Sequence, residues 1–177
     1  MNPTETILGL PAATYTLIHV LISLIGIASG LVVLFGLIGG KRLDGMTAIF
    51  LITTVLTSVT GFFFPFHGVT PAINVGILSL VLLAVAIAAR YAFHLVGPWR
   101  TTYVITAMIA LYFNCFVLVV QSFEHVMALH ALAPTQKEPP FAIAQGLLLI
   151  IFIVLIVYAV KGFRGATLAT GSKSRAA

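Results

Sequence analysis

Charge is what this chain has least of: only 7% of its 177 residues are charged, and the acids number four, Glu5, Asp44, Glu124 and Glu138. With 60% hydrophobic residues and a mean hydropathy of +1.16, the chain cannot cover itself with polar atoms, so its surrounding solvent has to be lipid. A single cysteine, Cys115, excludes an intramolecular disulfide and reads as a small packing residue. There is no P-loop, no G-x-G-x-x-G, no H-E-x-x-H and no cysteine pair, so the common nucleotide and zinc-hydrolase motifs are missing. Neither Lys nor Arg precedes residue 41, which removes the basic region of a cleavable leader. The first apolar run therefore reads as an uncleaved anchor.

Proline is missing from the long apolar runs. All eight prolines (3, 11, 65, 71, 98, 134, 139, 140) fall outside five stretches, Tyr15–Gly39, Met46–Phe64, Ala72–Val96, Thr101–Phe123 and Phe141–Lys161. Proline breaks a helix interior, and a helix needs about 20 apolar residues to cross a bilayer core. Both facts predict an all-α, polytopic membrane protein, a bundle of five transmembrane helices. Residues 1–164 form one domain, and the small, polar tail 165–177 is expected to be a disordered basic extension.

The cations that are present sort to one side. Lys41, Arg42, Arg90, Arg100, Lys161, Arg164, Lys173 and Arg175 share a face, against Lys137 alone on the other. Positive-inside bias puts the amino terminus outside and the carboxyl terminus in the cytoplasm. The pI near 9.7 then reflects topology and contact with anionic membrane lipids, and implies no nucleic acid. On this topology Arg90, His94, Trp99 and Arg100 read as an interfacial anchor, with lipid phosphate or a quinone headgroup as alternative ligands.

Polar residues recur on particular faces. His19, Ser23, Gly26 and Gly30 fall within about 60° on the first helix, and the glycines would let a backbone or a flat ligand approach. Asn114, Gln121 and His125 fall within about 40° on the fourth. Thr53, Thr54, Thr57, Ser58 and Thr60 give the second helix hydroxyls for carbonyls or neighbouring helices. The fifth helix is apolar all round and is expected to close the outside of the bundle.

Four of the five histidines, His19, His67, His125 and His130, belong to the outer face. Three readings compete there. In the first, histidines and glutamine bond loops and water in a cofactor-free accessory or assembly subunit of a larger complex. In the second, which is the leading specific expectation, His19 and His125 ligate haem b, Gly26 and Gly30 admit the macrocycle, and Asn114 and Gln121 orient it, in a redox-associated role. In the third, Glu124, His125, Met127 and His130 of "EHVMALH", completed by His67, hold copper or zinc. His125 and His130 lie about 140° apart on a helix, so that site requires the helix to end between them. The loop "APTQKEPP", stiffened by three prolines, is either a lid over the histidines or a docking surface.

In "LTSVTGFFFPF", "YFNCFVLVVQSF" and "APTQKEPPF" the chain resembles small multi-pass inner-membrane proteins of proteobacteria with no assigned function. The resemblance runs from the second helix to the fifth. It implies a bacterial inner-membrane location, implies no activity, and does not call for histidine at the position of His125.

Overall fold

The computed structural model describes residues 6–65 and 71–175, with side chains described for 6–65 and 73–164. Within these residues the chain is all-helical apart from one small hairpin, and five of its helices are long and apolar enough to span a membrane. They are α1 (Ala12–Ile38), α2 (Asp44–Gly61), α3 (Pro71–Ile87), α4 (Trp99–His125) and α6 (Pro139–Arg175), with a short α5 (Met127–Leu132) between the last two. At 27 residues, α1 and α4 are each about 40 Å long, enough to cross a hydrocarbon core of about 30 Å with some tilt.

Prolines mark where helices begin. Pro11 and Pro98 cap α1 and α4, while Pro71 and Pro139 open α3 and α6. Proline lacks only an N–H that the first turn leaves unpaired anyway. Three features differ from expectation. Thr6–Ile7 and Leu10–Pro11 pair as a two-residue antiparallel hairpin, turned by Leu8 and Gly9 at φ 51° and 81°. Its Ile7 packs with Ala12, Tyr15 and Phe64 over the ends of α1 and α2. The third span is not one α-helix: Ala88–Ala92 form a π-turn, and Phe93 N–H donates back to Ala88 O at 2.9 Å. Finally, α6 continues to Arg175, past the expected domain end at 164.

At the centre of the bundle stand α1 and α4, each 44% buried over its span, against 11% for α6. α2 lies along α1, α3 against α4 and α2, and α6 on the outer side of the α1–α4 pair. The core joins Val33, Leu34 and Leu37 of α1, Phe50 of α2, Leu83 of α3, and Tyr103, Met108 and Leu111 of α4. Glycine sets the closest approaches. A Cβ at Gly30 would sit 2.6 Å from Leu111 Cδ1 and 2.9 Å from the Phe50 ring. At Gly36 it would overlap Leu43, whose left-handed backbone (φ 41°) turns its side chain under α1. At Gly162 it would overlap the carbonyl of Ile38, so α6 meets the end of α1 backbone to backbone.

This contact generates a paired expectation. Gly162→Val should lower the unfolding midpoint of the detergent-solubilised protein by the equivalent of about 1–3 kcal/mol, because α6 has to lift off α1. Gly146→Ala on the same helix, where an added Cβ meets nothing within 4 Å, should leave stability unchanged or raise it by about 1 kcal/mol. Thermal unfolding followed by circular dichroism measures both.

Candidate functional sites at the two ends of the bundle

One end carries the histidines. His19 on α1 turns toward α2, with its Nδ1 2.8 Å from Thr60 Oγ1. Thr60 donates its own hydroxyl to the Leu56 carbonyl at 2.7 Å, and a carbonyl can only accept. Toward His19 the threonine is therefore the acceptor, which puts the imidazole proton on Nδ1 and leaves the lone pair on Nε2. The ring stands edge-on to Phe64, with centroids 5.1 Å apart, and lies over Gly61, where a Cβ would come 3.7 Å from His19 Cε1. Beside it, Tyr15 donates to the Thr60 carbonyl at 2.8 Å. His19 is thus built into the α1–α2 contact.

The stripes diverge from there. Gly26 faces Thr53, Thr54 and Asn114, and Gly30 faces Phe50 and Leu111, so side chains of α2 and α4 fill the space beside both glycines. Asn114 is buried and donates weakly to Thr54 Oγ1 at 3.5 Å. Gln121 and His125, farther along α4, are exposed. His125 is the last residue of its helix, and its Nδ1 lies 3.2 Å from the Gln121 carbonyl of its own chain turn.

The break that a metal site in "EHVMALH" would require is present: Val126 is extended (φ −88°, ψ 111°) between α4 and α5. Even so, His130 directs Nδ1 at the Phe123 carbonyl (3.3 Å), Glu124 is exposed and Met127 is 87% exposed. Among the described residues, no three His, Cys, Asp or Glu side chains gather as a metal would need. His67 lies outside the described residues.

The loop after α5 is fastened to α4. Gln136, at φ 57°, donates from Nε2 to the Val120 carbonyl at 3.2 Å, and Gln145 of α6 donates to the Phe116 carbonyl at the same distance. Ala133 is fully buried and Phe123 packs edge-on against Phe141. Glu138 closes the loop on itself, accepting from Thr135 Oγ1 (2.8 Å), Thr135 N–H and Lys137 N–H (3.0 Å). Desolvation raises its pKa, but the hydrogen bonds from Thr135, Lys137 and its own N–H together outweigh it and hold the carboxyl below the usual glutamate value.

The other end carries a site that pattern reading missed. Arg90, in the π-turn, has its side chain 1% exposed and ion-pairs through Nη2 with Asp44 Oδ1. Asp44 also receives Arg42 Nε at 3.1 Å. The Arg90 guanidinium lies between two aromatic rings, 5.7 Å from the centroid of Tyr91 and 5.3 Å from that of Tyr103. Its Nε and Nη1 are buried without a hydrogen-bond partner among the described residues. The basic residues first grouped as one anchor thus separate. Arg90 turns inward, Arg100 donates to the Phe163 carbonyl at 3.0 Å, and Trp99 stacks on Phe93 at 3.8 Å. The available signal was Asp44 itself, a lone acid at the start of a helix on an otherwise basic side.

Removing the acid tests this end. Asp44→Asn leaves the buried Arg90 charge without its solvent-screened partner and should cost about 1–3 kcal/mol, whereas Arg42→Gln, where both side chains are exposed, should cost less than about 1 kcal/mol. Denaturant titration in detergent micelles compares them. At the histidine end, the depressed Glu138 carboxyl stabilises the loop above the ordinary glutamate pKa, and that contribution disappears as pH falls through the lowered value. Amide-exchange protection of Thr135 and Lys137 should therefore exceed that of Glu138→Gln at neutral pH and match it in acid. Compared with protein-family profiles, curated proteins and solved structures, the chain matches none.

Proposed function

We propose that the chain is a cofactor-free accessory or assembly subunit of a larger complex in the bacterial inner membrane, with its basic end in the cytoplasm. The observation that carries this reading is the filling of the α1 glycine stripe. The positions that would admit a flat macrocycle beside His19 are occupied by Phe50, Leu111, Thr53, Thr54 and Asn114.

Most hydroxyls elsewhere in the bundle are spent locally, Thr57 Oγ1 being buried without a partner among the described residues. Ser23, Ser29, Thr53, Ser58 and Thr60 each donate to a carbonyl of their own helix at 2.7–3.0 Å. Between Asn114 and Tyr103 on α4 lie Met108 and Leu111, fully buried together with Leu34 of α1 and Phe50 of α2. Such a layer interrupts any polar route along the axis. The fastened loop and α5, which buries none of its residues and exposes Met127 and Leu132, offer a firm outward surface at the histidine end.

The haem b and transition-metal readings make opposite demands of one sample. Protein purified in detergent from haem-replete cells should give no Soret band, air-oxidised or dithionite-reduced, and no stoichiometric iron, copper or zinc. A photo-crosslinker in place of Met127 should join one defined membrane protein in intact membranes. A Soret band that sharpens on reduction and is lost in His19→Ala would overturn the proposal in favour of haem. Copper or zinc lost on joint replacement of His67, His125 and His130 would overturn it in favour of a metal site.

A further inference from the structure

Between α2 and α3 runs an apolar groove of about 420 Å³, lined by Ala48, Ile52, Val55, Leu56, Ile87 and Tyr91. The α2 residues recur at helical spacing, so the groove follows the helix axis. From Ala48 to Leu56 it extends about 12 Å, most of the depth of one hydrocarbon leaflet, which is half of about 30 Å. It opens on the outside of the bundle: Ile52 is 60% exposed and Leu56 43%. On a span that crosses a membrane, this face meets acyl chains.

What distinguishes the groove from ordinary lipid-facing surface is its basic end. Tyr91 lines it there, and the Arg90 guanidinium lies 5.7 Å from that same ring. Arg90 is bound to Asp44, which lies one helical turn before Ala48 and is bound in turn to Arg42. One carboxylate thus serves two guanidiniums and leaves one positive charge over. Arg90 also keeps two buried donors without an acceptor among the described residues, and the exposed partner is Arg42. The apolar groove thus ends at an uncompensated cation, as the acyl chain of a phospholipid ends at its phosphate.

We propose that this groove holds one acyl chain of an anionic phospholipid, with its phosphate received by Arg42. The lipid supplies the second negative charge that the Arg42–Asp44–Arg90 group lacks, and Tyr91 separates headgroup from chain. The inference depends only on the chain spanning a membrane, and it holds whether or not the protein serves as an accessory subunit.

Native mass spectrometry of the full-length protein tests it, using equimolar phosphatidylglycerol and phosphatidylethanolamine with identical acyl chains. The wild type should retain one phosphatidylglycerol in preference to phosphatidylethanolamine. Arg42→Gln, which leaves the buried pair in place, should reduce that preference about fivefold, the effect of one basic residue at an anionic lipid surface. Ile52→Trp, which fills the groove from its exposed side, should reduce retention of both lipids. Equal retention of the two lipids by the wild type overturns the proposal. So does a preference that survives Arg42→Gln. Retention that Ile52→Trp leaves unchanged overturns the groove as the chain's seat.

Discussion

The structure depends on how closely α1 can approach its neighbours. In lipid there is no gain from hiding apolar surface between helices, because the surrounding tails are as apolar as leucine. Helices stay together where their backbones come near enough for dense van der Waals contact and short polar bonds. Gly30 lets Phe50 and Leu111 into the space a side chain would take, and Gly26 does the same for Thr53, Thr54 and Asn114. The two helices that bracket this contact, α2 and α4, then carry α3 between them, and α6 closes on the outside.

Once the backbones are close, the polar side chains have specific tasks. Most hydroxyls return to their own helix, and the bonds that cross between spans include His19 to Thr60, Tyr15 to the Thr60 carbonyl, Asn114 to Thr54, Arg90 to Asp44, Gln145 to the Phe116 carbonyl and Arg100 to the Phe163 carbonyl. These crossings lie toward the two ends or at the α1–α2–α4 contact, with a dry layer of Leu34, Phe50 and Leu111 among them. An ion pair with one buried member, Arg90, and one exposed member, Asp44, is weak evidence for net stability, because solvent screens the exposed charge. It fixes instead how the end of α3 is seated against the start of α2.

The spans were legible in the sequence because lipid imposes a length of about 20 residues and proline cannot enter a helix interior cheaply. Helix starts at Pro11, Pro71, Pro98 and Pro139 follow from the same rule. The π-turn at Ala88–Ala92 was not legible, since one extra residue per turn leaves composition and hydropathy unchanged. Nor was the hairpin at residues 6–11, whose strands are too short for any alternation to show. At the candidate sites, the small-residue stripe of α1 could be read from spacing, but its occupants could not. Phe50 and Leu111 reach Gly30 only through the rotation of α2 and α4, which hydrophobic periodicity does not specify. The partners Arg90 and Asp44 stand 46 positions apart, and His19 and Thr60 stand 41 apart, so local pattern could not join them.

The contact between Gly162 and Ile38 has a consequence for the order in which the protein is made. Ile38 ends α1 and Gly162 lies in α6, so the two meet only after α6 has left the ribosome. Chains fold from the amino end as they emerge, at roughly 5–20 residues per second. For several seconds α1 to α4 therefore stand in the bilayer with one flank of α1 and α4 covered by lipid alone. During that interval the nascent bundle exposes the flank that α6 later covers, and a neighbouring protein able to occupy it competes directly with the chain's own last helix.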